Sequence, residues 1–160
     1  MLAETLTTQF RMNQYIAGRN LDGVTHEESL IRAVETGNHL NWLVGHVVAT
    51  RCALLPSLHQ ASVWSDAQMR LYQHGSSGAV NADYLPFDEV VRAFHTTQER
   101  IVEGMASLTD EELAAPAPFS PGGGPETLGS LLTKSTVHEG YHLGQTGILR
   151  RVIGKPGAIR

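Results

Sequence analysis

Apolar residues recur at steps of three and four along four long stretches of this chain, which is the signature of amphipathic helices. The first runs from Leu2 to Gly18, with Leu2, Leu6, Phe10 and Ile16 on one side and the amides Gln9 and Asn13 interleaved among them. Gly18 and Asn20 supply a stop. The second runs from Asn38, an acceptable N-cap, to Leu55, where Pro56 forbids continuation. His39, Trp42 or Leu43, His46, Thr50 and Ala53 follow one of its faces. The third runs from Pro86 to about Ser107, with Asp88 and Glu89 at its positive end and a stripe through Phe87, Val90 or Val91, Phe94, Ile101 and Met105. His95 falls beside that stripe and is placed on the surface. The fourth opens at Glu126 or Thr127 and runs to about Ile153, stopped by Gly154-Lys155-Pro156-Gly157.

The connections are read the same way. Thr25-His26-Glu27-Glu28 is a capping box, predicting a short helix from there to about Val34. Leu108 to Leu113 holds a second capping-box turn around Thr109 and Glu112, and 114–125, with four prolines and Gly122 to Gly124, is a loop. Ser57 to Leu85 is irregular, with a helical turn expected around Ala67–Tyr72 and a flexible turn at Gly75-Ser76-Ser77-Gly78. A connection of that length marks a crossover or a functional segment, and it is expected to run over the bundle end and shape a pocket mouth. With no strand pattern and no repeat, the fold class is all-α: one domain over residues 1–160, a four-helix bundle with long crossover loops.

Composition narrows the function. At 160 residues, 41% apolar and 18% charged, the chain can build an ordinary globular core. A net charge of −4 gives it no electrostatic attraction to nucleic acid or anionic lipid. No apolar run is long enough to span a bilayer, and the first residues lack the apolar core of a secretory leader. The single cysteine, Cys52, excludes an internal disulfide, fits a cytoplasmic setting, and is expected to be buried in the second helix.

The candidate chemistry lies in the fourth helix. Its seam reads Leu128, Leu131, Ser135, His138, His142, Gln145, Leu149, Val152, apolar at the ends and polar in the middle. His138 and His142 are four residues apart, so both imidazoles share a face and can reach one metal ion. Eight histidines would give about 0.4 such pairs by chance, so location carries the weight. A third histidine, His46, is centred on another long helix. Alone, it would more often be a satisfied core residue. Three neutral imidazoles leave coordination positions open for water or a substrate atom, as catalytic sites do. Gln145 is placed to line a pocket, and Gln9 and Asn13 face either that pocket or solvent. Glu139 points about 100° off the seam, toward a neighbouring helix, an imidazole N–H or solvent. Tyr141 is expected to pack a helix interface. No Gly-x-Ser-x-Gly elbow and no phosphate-cradling glycine loop is present.

Asn38-His39-Leu40-Asn41-Trp42-Leu43-Val44-Gly45-His46 and His138-Glu139-Gly140-Tyr141-His142-Leu143-Gly144-Gln145 together resemble the DinB/YfiT-like family of metalloenzymes. The stretch Leu85 to Val90 and the turn Leu108 to Leu113 are similar to that family's third helix and following turn, so the resemblance covers nearly the whole chain. It implies an up-up-down-down four-helix bundle, usually a homodimer. It implies a divalent ion, nickel or zinc, on His46, His138 and His142. It also implies thiol-dependent transfer or isomerisation with a low-molecular-weight thiol, in a stress or detoxification setting and without DNA chemistry.

Three readings follow. The first is a metal-dependent enzyme, a thiol-dependent S-transferase foremost, with substrate contacts from Gln145, Gln9 and Asn13. The second is a metal- or small-molecule-binding bundle without turnover. The third is a helical dimer whose histidines are only hydrogen-bonded.

Overall fold

The computed structural model describes residues 1–76 and 83–158. Four long helices carry the fold: α1 (Leu2–Leu21), α3 (Leu40–Leu54), α5 (Phe87–Ser107) and α7 (Leu128–Val152). Three short ones, α2 (His26–Ser29), α4 (Asp66–Arg70) and α6 (Asp110–Ala114), sit in the connections, and a 3-10 turn over Leu55–Leu58 follows α3. No strand occurs among the described residues; the nearest approach is an isolated bridge between Pro116 and Thr127. The chain is an all-α bundle. Of the 57–85 connection, residues 77–82, including Ser77 and Gly78 of the expected turn, lie outside the described residues.

The order of residues across each contact fixes the helix directions. Asn13 meets Thr136 and Asn20 meets Leu143, so α1 and α7 run parallel. His46 meets His138 while Trp42 packs on His142, so α3 runs against α7. Asn41 meets Leu85 and Arg51 meets Phe94, so α3 and α5 run parallel. The sense is up-down-down-up, which corrects the up-up-down-down order that the family resemblance implied. Parallel neighbours α3 and α5 cannot be joined by a tight turn, which is why the chain spends the 55–86 stretch between them.

Three helix ends differ from the sequence reading, each for a local reason. The first helix runs past Gly18 to Leu21, because Asn20 and Leu21 are buried and Asn20 donates to the Leu143 carbonyl and Thr146. Gly23, at φ 67°, makes the reversal that Gly18 was expected to make. α2 keeps its capping box but ends at Ser29 and not near Val34. Ile31 and Val34 beyond it are exposed and give a helix nothing to pack. α3 is capped by His39, whose Nδ1 accepts from the Trp42 N–H, and not by Asn38. Burial pushes the His39 pKa down to about 4, which keeps that cap neutral and accepting.

The core is divided. One half gathers Trp42, Val44, Val47, Phe94, Leu143 and their neighbours, and the other gathers Leu6, Phe10, Leu58, Ile101, Leu131 and theirs. Near their junction lies a fully buried ion pair, Arg51 on α3 with Glu139 on α7. Cys52 is buried beside it in α3, as its place in the sequence suggested.

Candidate metal centre

Two helices bring three histidines together. His138 and His142 stand one turn apart on α7, and His46 faces them from the antiparallel α3. Their Nε2 atoms converge: His46 to His138 at 3.2 Å, and His142 to His138 at 3.0 Å. For metal–nitrogen bonds of about 2.0–2.1 Å, the edge between two ligand nitrogens is about 3.3 Å in a tetrahedron and about 2.9 Å in an octahedron. The observed spacings fall in that range, so the donor set fits a divalent transition ion.

The other ring nitrogens strengthen the fit. His46 Nδ1–H donates to the Tyr72 carbonyl at 2.7 Å, and His142 Nδ1–H donates to Gln145 Oε1 at 2.8 Å. Each bond fixes the tautomer that leaves Nε2 as a bare lone pair. His138 Nδ1 is buried with no partner among the described residues. If His138 carries its proton on Nε2, it satisfies one neighbouring lone pair and leaves another facing nitrogen. If it carries it on Nδ1, three lone pairs face one another around an orphaned N–H. A cation held by all three Nε2 atoms selects the second tautomer and turns the facing lone pairs into ligands. Protons are a poor substitute here. Burial and the two neighbouring imidazoles hold His138 down to about 4. Burial lowers His46 and His142 as well, opposed by their Tyr72 and Gln145 bonds. At neutral pH the cluster therefore presents uncharged, ligating imidazoles.

The surroundings are built to hold this geometry. The Trp42 indole stacks on the His46 ring with centroids 4.8 Å apart and the two planes nearly parallel. The Tyr72 ring lies directly on Gly45: a Cβ there would come within 2.1 Å of Tyr72 Cδ1, so only glycine allows the approach. Its phenol donates to Asn41 and accepts the Leu85 N–H, so the carbonyl that orients His46 is anchored from three sides. Glu139 takes a two-pronged bond from Arg51 (2.7 and 2.9 Å) and a third from Asn13 at 3.2 Å, while Arg51 also donates to the Phe94 carbonyl. That network ties α3 to α7 within one turn of His138.

The structure therefore brings His46, His138, His142 and Gln145 together. It does not bring Gln9 and Asn13 to them. The Asn13 amide is spent on the Thr136 carbonyl and on Glu139, and exposed Gln9 accepts from the Thr136 hydroxyl. Both belong to the α1–α7 seam. Tyr141 is 66% exposed beside His142, so it packs no helix interface within the chain. Glu139 is neither a surface carboxylate nor an imidazole partner but half of a buried pair. A signal for that pair existed: Arg51 is the one Lys, Arg, Asp or Glu in a mostly apolar helix, and a charge in such a place needs a partner. Tyr72 had no comparable signal, since it acts through its backbone carbonyl.

On the open side of His46 and His138 lies a cavity of about 860 Å³. Its walls come from α3 (Ala49, Thr50), α4 and the turn after it (Met69, Arg70, His74), the 119–121 loop, and α7 (Leu131, Ser135). The long crossover does shape the mouth, as its length suggested.

Residues 9–146 match the DinB superfamily, and the chain belongs to that family. No curated protein matches the chain.

Proposed function

We propose that this protein is a divalent-metal-dependent enzyme whose ion is held by His46, His138 and His142, and that it acts as a thiol-dependent S-transferase in stress or detoxification chemistry. The observation that carries the reading is the convergence of three Nε2 lone pairs on one point beside a cavity of small-molecule size. Such an ion, when bound, lowers the pKa of a thiol or water toward neutrality. The chain's own residues do the rest. Tyr72 and Gln145 orient two of the imidazoles, Trp42 covers the His46 ring, and the Arg51–Glu139 pair fixes the spacing of α3 and α7.

The proposal includes nickel or zinc as the ion, a low-molecular-weight thiol as one substrate, and a cytoplasmic setting. No helix among the described residues is long and apolar enough to cross a membrane. It also includes a homodimer, supported by an exposed apolar stripe on α7 through Val137, Tyr141 and Ile148.

Elemental analysis of untagged protein, beside His46→Ala, His138→Ala and His142→Ala, tests the site. One ion per chain, lost in each variant while the far-ultraviolet spectrum stays helical, is the expected result. Stoichiometric metal retained in a variant counts against the triad. Metal-loaded protein that consumes an electrophile only when a thiol is present supports the transferase. Metal binding without any such turnover leaves a binding protein.

A further inference from the structure

The cavity wall is asymmetric in a way that specifies its ligand. Part of it is apolar, with Ala49, Met69, Leu131 and Phe119, the last from the 119–121 loop and still 39% exposed. The charged part is mostly cationic. Arg70, at the end of α4, and Lys134, on α7, stand at the mouth with His74, against a single wall carboxylate, Asp66. Lys134 is already paired with Glu126 at 2.7 Å. Arg70 is exposed and absent from the ion pairs among the described residues. In a chain of net charge −4, an uncommitted guanidinium at the rim of an apolar cavity is a local exception to the overall field.

Resting on the metal-site reading above, we propose that the cavity takes a small amphipathic anion, its apolar body against Met69, Leu131 and Phe119 and its carboxylate-type group on Arg70. Arginine matches that group because its planar fork binds two oxygens at once. Lys134 adds attraction at longer range. Asp66, one turn before Arg70 on the same short helix, offsets part of that field, and the two cations of the wall outnumber it. His46 and His138 line the same cavity, so the rest of such a molecule lies beside them.

Isothermal titration of metal-free protein at pH 8 with octanoate, 1-octanol and octylammonium separates the terms. The three probes share one apolar body and differ in head-group charge. Octanoate is expected to bind about twofold to fivefold tighter than octanol, the range of an exposed charge pair, and octylammonium more weakly than either. Arg70→Ala brings octanoate down to the octanol value and leaves octanol unchanged, and 0.5 M salt does much the same. Equal affinities, tighter binding of octylammonium, a preference that survives Arg70→Ala, or no binding of any probe overturns the proposal. Nickel titration of the same samples keeps the two readings apart. Nickel without octanoate removes this inference alone. Octanoate without nickel removes the metal-site reading and leaves the anion preference standing.

Discussion

Gln145 shows how much one hydrogen bond can decide. Its Oε1 accepts from His142 Nδ1, and its amide nitrogen reaches the Tyr141 hydroxyl at 3.4 Å. Without that acceptor, His142 is free to place its proton on Nε2 and to rotate. Gln145→Ala is therefore expected to weaken metal binding about 10–100-fold, the usual cost of losing a ligand's hydrogen-bond partner, with little change in stability. A competition titration against a chelator of known affinity measures this, and an unchanged affinity would show that packing alone sets the ring. Gly45 tests the opposite helix. A Cβ there collides with the Tyr72 ring, so Gly45→Ala must push Tyr72 and its carbonyl away from His46. Loss of both stability and metal affinity is expected, with overpacking costing about 1–3 kcal/mol by chemical denaturation. A variant as stable as the parent would mean that the Tyr72 contact is looser than it looks. These two residues were not equally legible. Gln145 sat on the polar stretch of a readable seam. The importance of Gly45 depends on a ring 27 positions away, and nothing at helical spacing announces it.

At the scale of elements, α3 is the helix whose environment its own sequence least reveals. It is apolar nearly all round, so its periodicity could not say which face meets which neighbour. Two polar residues set its placement. His39 caps it through a neutral ring, with burial pushing the pKa down to about 4 from 6.5. The sign follows: the unfolded chain binds a proton at His39 more readily than the folded one, so stability is complete above pH 6.5 and drains away as the pH falls toward 4. The loss from this residue is on the order of 1–3 kcal/mol. His39→Asn keeps a capping acceptor that does not titrate, so its stability should fall less steeply over that window in parallel urea titrations. Identical pH slopes would remove His39 as a cause. Arg51 acts at the other end, where Glu139 and the Phe94 carbonyl take up its donors. Arg51→Met alone leaves a buried carboxylate with only Asn13, which should cost about 3–5 kcal/mol. The double variant Arg51→Met/Glu139→Leu should recover most of that loss, and failure to recover would mean the pair sets helix register as well as neutralising charge. The capping boxes at Thr25 and Thr109 were readable because a box is local. The extent of α2 was not, because it depends on whether Ile31 and Val34 find anything to cover them.

For the whole molecule, the four long helices and the convergence of His138, His142 and His46 could be read from spacing and from the family strings, since each depends on short-range pattern or on whole motifs. Helix order around the bundle could not. It depends on which faces pair, and the pairing rests on Asn13, Asn20 and Arg51, to which helical spacing assigns no partner. The resulting up-down-down-up order has an energetic consequence. The histidines come from two antiparallel helices separated in sequence by the whole of α5 and both long connections, so no stretch of unfolded chain brings all three together. A metal ion then binds the folded state far better than the unfolded one, and its binding free energy becomes folding stability. At a free concentration 100 times the dissociation constant, the gain is about 2.7 kcal/mol. For a domain of this size, each kcal/mol shifts the midpoint by about 2–4 °C, so a rise of roughly 5–10 °C is expected. It should grow logarithmically with free nickel or zinc, and it should vanish in His138→Ala. Scanning calorimetry over a metal series measures it. The other histidines of the unfolded chain also bind metal weakly, so the slope should fall a little short of one full ion. A midpoint that does not move with metal, or one that moves equally in His138→Ala, would place the bound ion somewhere other than between α3 and α7.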